Sequence, residues 1–177
     1  MPRVLEVRPL PGYPEEIGGA LWAMQAVRRE TEEAAQGLDR ATLDWQGADG
    51  GDNAIGTLLY HIAIVEVSWL YLDMLLLPEL PPAVRADFPW AMGNGRGLTP
   101  VPGVPLADHL ARLARSRTLF LEELRRMTVE DWRRLREPGD EGYRVTPEWI
   151  VFHLVEHEAG HQYQIRSIRR RAANRAD

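Results

Sequence analysis

Helical periodicity is the feature of this sequence that most restricts its fold. Apolar residues recur at spacings of three and four along four long stretches, which is the pattern of one buried face of an α-helix. The predicted helices cover residues 15–38, 54–77, 105–127 and 146–172, with a shorter helix from Thr128 toward Leu135. No stretch alternates apolar and polar residues in the way of a half-buried strand. The sequence therefore predicts an all-α protein, built as a four-helix bundle.

The ends of these helices carry capping and stop signals. Gly37 ends the first helix, and Asp52 or Asn53 caps the start of the second, which stops at Pro78. Thr146 followed by Pro147 opens the fourth, as an N-cap residue with proline at the first helical position. Strong boundaries of this kind favour separate helices joined by turns.

A connection rich in proline and glycine, residues 78–105, joins the second and third predicted helices. Connections of this length in a small protein are usually functional or mobile, so a lid over a site and a packed surface loop are both open. No repeat and no composition boundary divides the chain. We therefore expect residues 1–177 to form a single domain.

Composition restricts the chemistry. The chain has no cysteine and no lysine, which excludes thiolate metal sites, cysteine nucleophiles, Schiff-base lysines and the P-loop. A net charge of -5 gives no general affinity for nucleic acid or membranes. The apolar stretch 54–77 carries Glu66 and Asp73, so we expect a buried helix rather than a membrane span. The first residues lack the apolar run of a signal peptide, which predicts a cytoplasmic protein.

His157, Glu158 and His161 match the pattern H-E-x-x-H of zinc peptidases. Histidines four residues apart on a helix share one face, and both can reach a single metal ion. A peptidase of this kind takes its third ligand downstream, but no histidine or glutamate follows His161 here. The third ligand is therefore expected upstream, and we predict no peptidase activity.

The upstream histidines are His61, His109 and His153. His61 lies on an apolar face of the second helix and favours a ligand role. His153 lies too far along the axis from His161 for one ion to take three ligands from that helix, so it is expected to line the pocket. His109 is expected to be a surface or capping residue.

Glu158 and two arginines are further candidates. Glu158 would be the general base of a peptidase, but it lies about 100° from His157 on the helix, which favours a solvated or interface carboxylate. Arg166 and Arg169 belong to a basic cluster that closes the fourth helix. They either complement the helix dipole or bind an anionic part of a cofactor.

The segments NAIGTLLYHIAIVEVSWL and HLVEHEAGHQYQI together resemble the DinB/YfiT-like family of metalloenzymes. The resemblance covers residues 13–171. It implies a four-helix bundle, commonly a homodimer, with a zinc or nickel ion held by His61, His157 and His161. Tyr163 stands where the family usually has a small residue.

The resemblance also implies a reaction class. Characterised members transfer thiols such as bacillithiol or mycothiol, or use such a thiol as a cofactor. The leading hypothesis is therefore a metal-dependent thiol S-transferase with a small-molecule substrate. The alternatives are a metal-dependent hydrolase, in which Glu158 or Glu66 would have to turn inward, and a non-catalytic metal-binding or stress-response protein. The second helix has more apolar surface than one bundle core needs, which predicts a homodimer unless residues 78–105 cover it.

Overall fold

A computed structural model of the protein describes residues 4–93, 97–139 and 142–174, and its regular secondary structure is helical. The helices are α1 (Glu15–Ala35), α2 (Arg40–Leu43), α3 (Ile55–Ser68) with a π-helical extension (Trp69–Met74), α4 (Pro82–Asp87), α5 (Leu106–Leu124), α6 (Val129–Arg133) and α7 (Pro147–Ala173). The described residues contain no strand, only isolated bridges between Gly93 and Leu98 and between Arg136 and Val145. The all-α prediction is confirmed.

Helix ends follow the sequence signals in part. The Thr146 hydroxyl accepts a hydrogen bond from the Trp149 amide, with Pro147 at the first helical position, as predicted. The predicted cap of the second helix is wrong, because Ala54 precedes α3 and forms no side-chain cap. Asp52 instead accepts a hydrogen bond of 2.7 Å from Arg171 at the end of α7.

Helix α3 is the most deeply buried element. α1 packs along α7, and α3 packs against both α5 and α7. Among the described residues, one helix, spanning Ile55–Met74, is long and apolar enough to cross a membrane, but 78% of its apolar 18-residue window is buried inside the protein. Burial of this extent is typical of a core helix.

The segment between α3 and α5 packs against one face of α3. The Tyr60 hydroxyl donates to the Trp90 carbonyl over 2.7 Å, and the Val101 amide donates to Thr57 over 3.1 Å. Of the extra apolar residues that predicted a dimer, Ile55, Leu59 and Ile62 are at most 2% exposed within this one chain, whereas Trp69 is partly exposed and Leu76 is 46% exposed. A homodimer therefore stays a prediction. Residues 94–96 of the predicted connection lie outside the described residues.

His109 was expected to be a surface or capping residue, and the structure shows that this expectation is wrong. Its side chain is fully buried, because α5 turns His109 and Leu113 together toward the core. The imidazole fills the space beside Gly56, where an added Cβ would lie 2.9 Å from Nε2. Neither ring nitrogen has a hydrogen-bond partner among the described residues. Burial, and then repulsion from Arg112, lower the pKa of His109 to about 4.

This buried imidazole predicts acid sensitivity. A pKa lowered from 6.5 to about 4 in the folded state means that the unfolded chain binds the proton more readily between those pH values. The stability that His109 contributes is complete above pH 6.5 and is lost as pH falls to 4. Urea denaturation of metal-free protein measures the free energy of unfolding. As pH falls, this free energy should drop by about 3 kcal/mol more in the wild type than in His109→Leu. Parallel curves for the two proteins would contradict this account.

Candidate metal centre

Three imidazoles from two helices converge at one point. The Nε2 atom of His157 lies 3.1 Å from Nε2 of His61 and 3.1 Å from Nε2 of His161. One ring nitrogen from each residue falls within 4.8 Å of the others, and all three side chains are partly buried. This geometry matches the grouping expected from the sequence.

The antiparallel packing of α3 and α7 produces this meeting. His61 on α3 lies opposite His157 and His161, whereas Trp69, further along α3, lies opposite the earlier residue His153. His157 and His161 share a face because they are one turn apart. The three nitrogens therefore come from rigid helices rather than from loops.

Hydrogen bonding fixes how these rings present their nitrogens. Nδ1 of His161 lies 3.0 Å from the Gln164 side-chain oxygen, which can only accept, so this nitrogen carries the proton and Nε2 offers a lone pair. A proton on Nε2 of His157 can form a good hydrogen bond with Nε2 of either His61 or His161, but not with both. The buried Nδ1 of His61 has no hydrogen-bond partner among the described residues. The protons available on these rings cannot pair all three Nε2 atoms, whereas one cation would satisfy them together.

Two of the rings are neutral at neutral pH. Burial, and then repulsion from His161, lower the pKa of His61 to about 4, although the backbone of Met92 partly offsets this. Burial lowers the pKa of His157 to about 3, with repulsion from the neighbouring histidines adding to it. A metal ligand must be unprotonated, and these rings meet that condition without competition from protons.

The spacing of the nitrogens fits a divalent ion. In a tetrahedral zinc site with metal–nitrogen bonds of about 2.0–2.1 Å, neighbouring nitrogens lie about 3.3 Å apart. Both Nε2 contacts of His157 are 3.1 Å. Small rotations of the rings would accommodate the ion, so these residues fit a bound divalent metal ion.

His153 lies beside the three histidines but faces other partners. Its ring stacks on Trp149 at 5.0 Å between centroids, and Trp69 packs edge-on against it at 5.0 Å. The ring of His157 is 6.0 Å away. His153 is therefore a neighbour of the cluster, as expected from its spacing, and not one of its three members.

Glu158 was expected to be a solvated or interface carboxylate, and the structure shows that it is buried. It is 2% exposed, because α1 and α5 each direct an arginine at it. Arg28 donates to Glu158 over 2.7 Å and Arg117 donates over 3.1 Å. Both carboxylate oxygens are therefore bound to guanidinium groups, which leaves the predicted role as a general base without support from hydrogen bonding.

These residues form a buried ionic network with one member from each long helix: Arg28 on α1, Glu66 on α3, Arg117 on α5 and Glu158 on α7. Glu66 accepts a charged hydrogen bond of 2.6 Å from Arg28 and another of 2.6 Å from Arg117. Arg28 and Arg117 also donate to main-chain carbonyls of neighbouring helices. Charged residues at helical spacing from core positions, such as Arg28 four residues after Met24, were the signal in the sequence for this network.

The two arginines predicted to bind a cofactor both contact α1. Arg166 lies 3.5 Å from the Glu30 carboxylate, and its side chain is half exposed. Arg169 donates to the Ala34 carbonyl over 2.8 Å. Arg169 thus satisfies a carbonyl at the C-terminal end of α1, where helices leave such groups unpaired. A role in binding an anionic cofactor stays a prediction.

The sequence model of the DinB superfamily matches residues 23–165, a range that contains all three converging histidines. No curated protein matches the chain.

Proposed function

The chain belongs to the DinB superfamily, and we propose that it binds one divalent metal ion through His61, His157 and His161. The convergence of the three imidazole nitrogens, with two contacts of 3.1 Å, is the observation that supports this most directly. We also propose that α1, α3, α5 and α7 form a four-helix bundle within a single domain, with the buried ionic network at its centre.

The reaction we propose is the transfer of a thiol, with zinc or nickel as the metal. A divalent ion held by three neutral imidazoles keeps its full charge and lowers the pKa of a thiol that binds to it. The chain has no cysteine, so the thiol belongs to a substrate such as bacillithiol or mycothiol. Gln164 holds the His161 ring with Nε2 directed at the other two histidines.

A hydrolase is supported less well. It would need a carboxylate free to take a proton from water. Glu66 and Glu158 are the two candidates, and both accept charged hydrogen bonds from Arg28 and Arg117. A non-catalytic metal-binding protein is distinguished from a transferase by the thiol assay described in the Discussion.

Metal content provides the direct test. Purified protein should carry one equivalent of zinc or nickel, and alanine at His61, His157 or His161 should remove it, because two imidazoles hold such ions far more weakly than three. His153→Ala is the matched control and should retain the metal, since the His153 ring stacks on Trp149. Full metal content in His61→Ala together with loss in His153→Ala would reassign the third ligand.

Gln164→Ala should weaken metal binding by about 10–100-fold, as is usual when the partner of a ligating histidine is lost. Competition with a chelator of known affinity measures this change. Equal affinities of Gln164→Ala and the wild type would show that the amide does not orient His161.

A homodimer and a cytoplasmic location belong to the same proposal. Sedimentation at micromolar concentration decides the first, and a clean monomer would contradict it.

A further inference from the structure

The three proposed metal ligands lie on helices that belong to two different pairs. α7 packs most extensively along α1, and α3 packs most extensively along α5, whereas α3 and α7 have a smaller contact with each other. The first pair carries His157 and His161, and the second pair carries His61. The distance from His61 to the other two histidines therefore depends on how the two pairs are placed relative to each other.

The buried ionic network contains charged hydrogen bonds that join the two pairs. Arg28 on α1 donates to Glu66 on α3 over 2.6 Å. In the opposite direction, Arg117 on α5 donates to Glu158 on α7 over 3.1 Å. Each guanidinium also donates to a main-chain carbonyl of the other pair, Arg28 over 2.5 Å and Arg117 over 2.7 Å. Both arginines therefore reach from their own helix pair into the other one.

These contacts are specific for one register of the helices. Arg28 also donates to Glu158 within the first pair, over 2.7 Å, and Arg117 donates to Glu66 within the second, over 2.6 Å. All four residues are at most 5% exposed. Apolar side chains tolerate small shifts, whereas a buried carboxylate that moves away from its guanidinium group loses a charged hydrogen bond. In some proteins buried polar groups specify the register of helices in this way.

The two carboxylates of the network lie on the helices that carry the proposed ligands. Glu158 directly follows His157 on α7, and Glu66 lies five residues after His61 on α3, about 7.5 Å along the helix axis. A shift of either carboxylate along its helix direction therefore moves the neighbouring imidazole with it. A metal site needs its ligands within about 0.5 Å of the productive geometry, so it is sensitive to such shifts.

We propose that Arg28 and Arg117 are positioning residues for the metal centre. By holding the two carboxylates of the network together, they set the register in which His61 meets the other two histidines. They act through the helices, because among the described residues their hydrogen bonds go to carboxylates, main-chain carbonyls and the Gln25 side chain, and not to a histidine. This role rests on the proposed function, since it requires the metal site.

Arg117→Lys tests this role, because lysine keeps the charge but lacks the planar fork that reaches both carboxylates. Chelator competition should show that zinc affinity falls by about 10–100-fold, as when an outer partner of metal ligands is lost. Cobalt(II) bound in place of zinc should lose visible absorption, because losing His61 as a ligand changes its four-coordinate geometry. Leu21→Ala, fully buried on α1, is the matched control. It should lower stability but leave the zinc affinity and cobalt spectrum of the folded protein unchanged.

A double-substitution cycle separates positioning from general destabilisation. If Arg117 acts by placing His61, the imidazole of His61 already contributes little to zinc binding in Arg117→Lys. His61→Ala should then weaken zinc binding at least about tenfold less in the Arg117→Lys background than in the wild type. Independent effects of the two substitutions, or equal zinc affinity and cobalt spectra in Arg117→Lys and Leu21→Ala, would overturn the proposal.

A second variant and the wild type complete the test. If circular dichroism shows that Arg117→Lys is unfolded, Glu66→Asp replaces it, because aspartate keeps the charge but is one carbon shorter. We expect zinc affinity about tenfold weaker than in Leu21→Ala, and equal affinities would be the contrary result. In the wild-type background, zinc that is lost with His61→Ala supports the metal centre whatever the network variants show. Zinc binding that does not depend on His61 would refute both the metal centre and the positioning role.

Discussion

Arg28→Met is expected to lower the free energy of unfolding by about 3–5 kcal/mol, because it leaves buried carboxylates with too few partners. Arg28 is 3% exposed and bonds to both Glu66 and Glu158. Burial alone would lower the pKa of Arg28, but these two carboxylates raise it above its usual value. The pKa of Glu66 is lowered by Arg117 and Arg28 against the effect of burial. Each charge in the network is therefore tolerated only because the others are present.

Urea denaturation followed by far-UV circular dichroism measures this loss. Arg134→Met is the matched control, since Arg134 forms exposed ion pairs with Glu130 and Asp131. Such surface pairs contribute about 0–1 kcal/mol, so the control should be nearly neutral. Similar losses in Arg28→Met and Arg134→Met would contradict the assignment of the network as a buried, interdependent unit.

A double substitution tests that interdependence. Arg28→Met combined with Glu158→Met removes one positive and one negative charge and leaves the Arg117–Glu66 pair, whose contact is 2.6 Å. The double variant should lose less stability than the sum of the single variants, because each single variant leaves the network with one buried charge in excess. Simple additivity would indicate that the charges act independently.

Local signals in the sequence predicted the helices and two of the converging histidines. Thr146 and Pro147 specify where α7 begins, and the four-residue spacing of His157 and His161 needs only the helix itself. The partner residue His61 lies 96 positions earlier, so its approach depends on how α3 and α7 pack. The spacing on α3 indicated the correct face, and the family resemblance supplied the pairing.

The errors in the sequence predictions have a common physical cause. The expectation for Glu158 assumed one buried stripe on α7, but α7 packs against both α1 and α3, which buries a wider arc. His109 was misjudged because Gly56 on another helix creates its space. The π-helical turn after Ser68 has no periodic signal in the sequence. Burial that depends on neighbouring helices cannot be deduced from one helix at a time.

The second large effect is expected in thiol transfer, where His157→Ala should reduce the rate to that of free thiol. At pH 7 a thiol with a pKa of about 8.5 is only about 3% deprotonated, so lowering its pKa below 7 increases the reactive fraction by up to about 30-fold. The intrinsic nucleophilicity falls as the pKa falls, which offsets part of this gain. Zinc- or nickel-loaded protein is assayed with bacillithiol, mycothiol, glutathione or coenzyme A and monobromobimane as acceptor.

The dependence on pH separates this chemistry from simple metal storage. If the protein lowers the pKa of the thiol, the transfer rate should level off near neutral pH, whereas the uncatalysed rate continues to rise toward pH 8.5. His153→Ala keeps all three imidazoles and should preserve this profile, since its ring lies against Trp149 and Trp69. A holoprotein that reacts no faster than His157→Ala with any of the four thiols would refute the transferase. Retained metal in that case would favour a non-catalytic metal-binding protein, because the same three nitrogens can hold an ion without presenting it to a thiol.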